Sequence, residues 1–272
     1  MKRFAVATVL SLAVGCTSAP PRQEPEQPPR DPAIAIVKTD NPKEAIHLPA
    51  ATPEIQLASA QHAVAEGKYG EARASLDQAI GMRPDYAEAY LLRGNVAALQ
   101  GDSQVAYADY DQAVRCRPDL LDALVARAQA ELALDKFDEA VADLDRAIVM
   151  APKRASLHYQ KALALFAHKD DVKALAAVNQ ALVVDPTHEE SCRFRAQLDL
   201  FAKDYEKAIV DATRALELTP TDARAWATRG KARAMLGRKS DAKADLEKAL
   251  VLDASLTDEL RTTLEQLRRE TK

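Results

Sequence analysis

Five prolines, Pro84, Pro118, Pro152, Pro186 and Pro220, follow one another at intervals of 34 residues. A fixed period of this length marks a repeat architecture, in which each supersecondary unit is too small to bury its apolar face alone and must stack on its neighbours. Laid on that period the chain divides into six units: 53–86, 87–120, 121–154, 155–188, 189–222 and 223–256. The twentieth place of every unit is alanine (Ala72, Ala106, Ala140, Ala174, Ala208, Ala242), and so is the twenty-seventh (Ala79, Ala113, Ala147, Ala181, Ala215, Ala249). The eighth place holds only small residues, Ala60, Gly94, Ala128, Ala162, Ala196 and Gly230. Alanine makes up 54 of the 272 residues, so twelve alanines at twelve such places is far from a random draw.

The composition agrees with helices. Eight glycines in 272 residues are few for a fold with many tight β-turns, while alanine is the best helix former and loses no side-chain entropy on folding. With 47% apolar residues the chain has ample material for a core. A net charge of −4 does not supply the basic field that non-specific nucleic-acid binding requires, and three cysteines are too few for a disulfide framework.

The 34-residue unit, its small residues at these places and its closing proline resemble the tetratricopeptide repeat, a helix–turn–helix module. The likeness covers residues 53–256 and implies an all-α, right-handed solenoid of six hairpins. Small side chains would let the two helices of a unit approach closely, and the proline would end the second helix by disfavouring α geometry at the residue before it. Gly67, Gly101 and Gly237 fall in the turn of three units; Asp135, Lys169 and Lys203 fill it in the others. Beyond the last unit, Leu256, Leu260, Leu264 and Leu267 recur at helical spacing and predict a capping helix within 257–272, as an array needs an end with a polar outer face.

The chain begins with Lys2 and Arg3, an apolar stretch from Phe4 to Val14, and Gly15-Cys16. That stretch is too short for a transmembrane helix and reads as an export signal over 1–15. Leu12-Ala13-Val14-Gly15-Cys16 resembles a bacterial lipobox, which implies lipidation of Cys16; an ordinary cleaved signal with an incidental cysteine is the alternative. Thr17, which is not Asp, implies by the same resemblance an outer-membrane destination facing the periplasm. Nine prolines between Pro20 and Pro53 make residues 16–52 an extended, Pro-rich linker.

A second pattern runs inside the repeat. The seventh place is Ser59, Arg93, Arg127, Lys161, Arg195 and Arg229, and the twenty-third is Ser75, Asp109, Asp143, Ala177, Asp211 and Asp245. Aspartate occurs at the second wherever arginine occurs at the first. The expectation is a helix-to-helix ion pair in units two, three, five and six, since a guanidinium fork suits a carboxylate.

No nucleophile elbow, phosphate-binding loop, dinucleotide fingerprint or zinc-protease motif occurs in the chain, and the five histidines are not at metal-ligand spacing. No cofactor or metal is expected. His158 and Cys192 share the fourth place of their units with Trp226, which points to packing, and Cys116 and Cys192 lie too many units apart to pair. The chain therefore reads as a non-catalytic scaffold for protein–protein contacts. By the family resemblance, places 2, 5, 9, 12 and 13 of each first helix would line a concave groove. In the N-terminal half these are Glu54, Glu88 and Asp122 with Gln61, Asn95 and Gln129; in the C-terminal half they are Tyr159, Phe166, Arg193, Gln197, Arg224 and Lys231. Such a groove would be acidic at one end and basic at the other and would take a protein or peptide in one polarity; a solvated face without a ligand is the alternative. Leu57, Leu91 and Val125 replace the clamp residues of chaperone-type repeats. The combined expectation is a lipid-anchored envelope scaffold, with self-association into a homodimer as a second reading and a hydrolase without a recognisable motif as a third.

Overall fold

The computed structural model describes residues 52–269. The expected signal, Cys16 and the Pro-rich linker lie outside the described residues. Within them the chain forms thirteen α-helices and no strand. Six are the first helices of the hairpins: α1 (Pro53–Ala65), α3 (Ala87–Leu99), α5 (Leu121–Ala133), α7 (Ala155–Ala167), α9 (Glu189–Phe201) and α11 (Ala223–Met235). Their partners are α2 (Tyr69–Met82), α4 (Ser103–Cys116), α6 (Phe137–Met150), α8 (Asp171–Val184), α10 (Tyr205–Leu218) and α12 (Lys239–Leu252). A 3₁₀ turn at Ala254–Leu256 leads into α13 (Thr257–Arg269). The bounds repeat every 34 residues without slippage.

The small places explain how each hairpin closes. All twelve alanines at places 20 and 27 are buried at 1% exposure or less, as are the four alanines at place 8. In units two and six place 8 is glycine. A Cβ on Gly94 would lie 2.6 Å from Tyr110 Cε1, and one on Gly230 would lie 2.8 Å from Leu246. Helix α3 therefore meets α4 through Tyr110, and α11 meets α12 through Leu246, at a separation that leaves no room for a methyl group.

The turns inside the hairpins need one residue in the left-handed region. Gly67, Gly101 and Gly237 supply it with φ of 73°, 82° and 73°, whereas Asp135, Lys169 and Lys203 are held there at 59°, 68° and 65°. A Cβ in this conformation crowds the following carbonyl. The second helices end two residues before Pro84, Pro118, Pro152, Pro186 and Pro220, as the break in α geometry ahead of proline dictates. Place 4 of the next unit then serves the proline carbonyl: Trp226 Nε1 donates to Pro220 O at 2.8 Å, and His158 Nε2 lies 3.3 Å from Pro152 O.

Stacking buries the third place of each first helix. Ala89, Ala123, Leu157, Ser191 and Ala225 are fully buried, while Ile55 in the first unit, with no described hairpin before it, is 40% exposed. At the other end Leu256, Leu260, Leu264 and Leu267 are buried together with Leu246 and Ala249, so α13 closes the C-terminal face as the leucine spacing predicts. Cys116 and Cys192 are both unpaired thiols.

Two substitutions test this packing in opposite directions. Gly94→Ala is expected to lower the unfolding free energy by about 1–3 kcal/mol, through overpacking against Tyr110. Lys203→Gly is expected to raise it by about 0.5–1 kcal/mol, the relief of left-handed strain being partly offset by glycine's unfolded-state entropy. Urea unfolding of both variants checks the signs; equal midpoints would contradict the account of the turn and of the hairpin contact.

Candidate functional site

The structure brings together every arginine and aspartate that the internal pattern couples. Arg93 Nε and Nη2 donate to Asp109 at 2.9 and 2.7 Å, and Arg127 to Asp143 at 2.6 and 2.8 Å. Arg195 grips Asp211 at 2.6 and 2.7 Å, and Arg229 grips Asp245 at 2.9 Å through both nitrogens. Each is a two-point fork on a carboxylate that is 3–8% exposed. The bonds to Asp109 and Asp143 hold the Arg93 and Arg127 guanidiniums still more firmly protonated than usual.

The third nitrogen of the same arginines makes a contact that the sequence pattern does not announce. Arg93 Nη1 donates to Asp77 at 2.6 Å, Arg127 Nη1 to Asp111 at 2.8 Å and Arg195 Nη1 to Asn179 at 2.9 Å. These acceptors all stand at place 25 of the preceding unit, where Asp145 and Thr213 also stand. One side chain thus ties its own hairpin shut and fastens it to the one before. A run of short polar acceptors at place 25 is the one signal of this contact in the sequence.

Two units add a further buried carboxylate. Glu131 and Asp199 both occupy place 11, where the first, second and fourth units carry Ala63, Ala97 and Leu165. The Glu131 side chain is 4% exposed, its Oε1 is 3.9 Å from Arg127 Nε, and its Oε2 has no hydrogen-bond partner. Burial first, and the negative Asp143 second, push the Glu131 carboxyl up to about 7. Burial and Asp211 push Asp199 up to about 6. In unit six the same place carries Arg233, whose Nη1 donates to Asp245 at 2.7 Å.

The expected groove residues are arranged differently from the sequence reading. The acids at place 2 are not left to a ligand: Glu54 pairs with Arg83, Glu88 with Arg117 at 2.5 Å, and Asp122 with Arg154 at 3.9 Å. Their partners sit at the end of the second helix or in the linking loop, close to the start of the first helix of the same unit. On the basic side Arg193 reaches Asp222 at 3.2 Å and Lys231 pairs with Glu259 of α13. Most of the expected charge gradient is therefore neutralised within the array. Asn95 is exposed and accepts from Tyr110 Oη at 2.9 Å, while Gln129, Gln197 and Arg224 are half-buried. Phe166 is a core residue, packed edge-on against Phe194, and Tyr159 meets Phe194 and His188.

On the same face of the first helices lies an apolar row at place 13. Leu99 is 55% exposed, Phe201 55% and Met235 62%, with Ala133 and Ala167 between them in the row. Phe201 lies stacked on Phe166 of the preceding first helix, their centroids 5.9 Å apart, which fixes its ring in place while leaving its outer face open. Among the described residues no group of three His, Cys, Asp or Glu side chains is placed to hold a metal ion, and no helix is long and apolar enough to cross a membrane.

The family model for the tetratricopeptide repeat matches residues 57–120 and 125–189. Solved structures share the architecture at low identity. MamA of Desulfovibrio magneticus is 20% identical over 62% of this chain and 96% of its own, with a TM-score of 0.58. PilF of Pseudomonas aeruginosa is 14% identical over 80% of this chain and 97% of its own, with a TM-score of 0.64. YrrB, described as a TPR protein with an unusual peptide-binding site, is 18% identical over 66% of this chain and 92% of its own, with a TM-score of 0.52. A comparison with curated proteins finds no match. Residues 57–120 and 125–189 thus match the tetratricopeptide-repeat model, and the described residues fold as a solenoid of helical hairpins.

The buried carboxylate gives a pH test. Because the Glu131 carboxyl ionises near 7 in the folded chain against an ordinary value of 4.5, the native state binds more protons than the unfolded state between those values. Its stability therefore rises as pH falls from about 7 to about 4.5 and carries the full penalty above 7. Glu131→Gln is expected to stabilise the chain by on the order of 1–3 kcal/mol at pH 8, with a smaller effect at pH 5. Asp109→Ala, which strips the fork partner from half-buried Arg93, is expected to cost about 2–3 kcal/mol at either pH. Thermal melts at the two pH values distinguish the pair; a Glu131→Gln effect that does not depend on pH would refute the assignment.

Proposed function

We propose that this tetratricopeptide-repeat chain is a non-catalytic, lipid-anchored scaffold of a bacterial envelope, which holds a protein or peptide partner along the inner side of its first helices. The observation that carries the partner site is the place-13 row of Leu99, Phe201 and Met235, large apolar side chains left open to water on a side where the charges are already paired. Aromatic and apolar side chains held rigid before binding are the usual anchors of protein interfaces. Phe201, braced on Phe166, fits that description. YrrB, with its peptide-binding site, supports the reading by likeness of fold.

The anchor half of the proposal rests on the lipobox-like Leu12–Cys16 and on the Pro-rich stretch that follows it. Acyl chains contribute about 0.8 kcal/mol per buried CH₂, so more than one chain gives a stable hold. An extended Pro-rich tether would set the array off from the membrane surface. Thr17 favours the outer membrane in this scheme.

Two experiments separate the halves. Cys16→Ser is expected to move the chain from the membrane to the soluble fraction without altering its partners; unchanged membrane association would remove the anchor. Phe201→Asp is expected to lower the melting temperature modestly, through loss of the stack on Phe166, and to leave the chain folded while abolishing co-purification of crosslinked partners from intact cells. Retention of the same partners would remove the inner row as the site. A dimer by light scattering that Phe201→Asp dissolves would instead make a second copy the occupant.

A further inference from the structure

In units two, three, five and six an arginine of the first helix grips an aspartate of the second helix beside the preceding unit's second helix. Unit four has neither, since Lys161 stands at place 7 and Ala177 at place 23. Lys161 Nζ still reaches back to Asp145 of the preceding unit at 2.5 Å, as Arg93 reaches Asp77 and Arg127 reaches Asp111. The carboxylate of its own hairpin is missing, because the methyl group of Ala177 ends well short of it. A cleft of about 900 Å³ opens here between α6 and α8, floored by Val141, Leu165 and Ala177. The corresponding cleft one unit on, where Arg195 and Asp211 are in place, measures about 500 Å³.

We propose that the unit-four cleft is a second binding site, which receives a carboxylate-bearing side chain of a partner protein in the position that aspartate occupies in four other units. The donor is at hand: an ammonium offers three N–H groups and Asp145 takes one. A single cation between two carboxylates is an arrangement the array already adopts, with Arg93 between Asp77 and Asp109 and Arg127 between Asp111 and Asp143. At the rim Lys173 pairs with Asp170 at 2.8 Å and His168 Nδ1 lies 3.3 Å from Asp138, with Lys169 and Asp171 beside them. The apolar floor suits the methylene stem of a glutamate or the flank of an acidic segment.

This site is separate from the inner row. The residues that α7 and its C-cap contribute to the cleft, His158, Lys161, Leu165 and His168, occupy places 4, 7, 11 and 14. At 3.6 residues per turn these lie on roughly the opposite side of the helix from places 2, 5, 9, 12 and 13. The array can therefore hold two partners, or two parts of one partner, on the two sides of its first helices.

The test uses glutarate, a dicarboxylate whose two ends are joined by a short apolar stem, and ethylguanidinium as a cationic control, each titrated into the full chain at fixed ionic strength and followed by amide NMR. Glutarate is expected to give saturable shifts centred on Lys161, Ala176 and Ala177, and ethylguanidinium none there. Ala177→Asp supplies the carboxylate within the chain and is expected to raise the melting temperature and weaken glutarate binding by about tenfold or more. Lys161→Met is expected to lose the binding while keeping the fold. Stronger binding of ethylguanidinium, the absence of saturable shifts, or an undiminished glutarate response in Ala177→Asp would each overturn the proposal. None of these readouts involves Phe201, so failure here leaves the inner row standing.

Discussion

A two-helix unit of 34 residues has two apolar faces and only one partner helix, so it cannot dry its own surface. Everything else in this molecule follows from how that shortage is met. Inside a hairpin the helices come close because places 8, 20 and 27 are alanine or glycine, and the bulky residue at place 24, Leu76, Tyr110 or Leu246, fits between them. Between hairpins the third place of each first helix is sealed by the unit before it. In the first unit, with no described hairpin before it, Ile55 is exposed, and α13 supplies the seal at the other end. Stability in such an array is a sum of unit and nearest-neighbour terms rather than the property of one central core.

The arginine fork adds direction to this apolar stacking. A single guanidinium spans both helices of its own hairpin and a residue of the previous one, which constrains the rotation of each unit on the last. Apolar contacts alone are less particular about angle. Where the pattern departs from this, the departures have consequences. Glu131 and Asp199 place a second carboxylate beside an occupied pair and make two junctions sensitive to protons. Lys161 and Ala177 remove the pair altogether and leave a cleft. The same economy explains why the inner side is less charged than its sequence suggests: place-2 acids are absorbed by arginines of the array, so apolar side chains at place 13 are what a partner would meet.

Much of this is legible in the amino-acid sequence. The 34-residue register, the helix bounds, the small places, the left-handed turn residues and the arginine–aspartate coupling are all periodic, and periodicity can be read by laying units side by side. Contacts between different places, within a unit or across neighbouring units, are hidden from that reading. Asp77 and Asp111 meet arginines sixteen residues on, and Arg83 and Arg117 return to Glu54 and Glu88 twenty-nine residues back, so place-by-place columns do not reveal them. The groove reads as charged only when each column is judged without its partner. Phe166 reads as outward-facing when place 12 is treated alike in every unit, although Phe194 in the next unit covers it.

Whether hairpins depend on their neighbours, as this account requires, is measured most directly by native-state hydrogen exchange on a chain carrying Ala147→Asp. That change places a carboxylate at a fully buried small site in unit three. Protection is expected to fall most in units two to four and to recover toward α12 and α13, because each unit feels its neighbours and little beyond them. Equal loss of protection from α1 to α13, or loss confined to unit three alone, would contradict it.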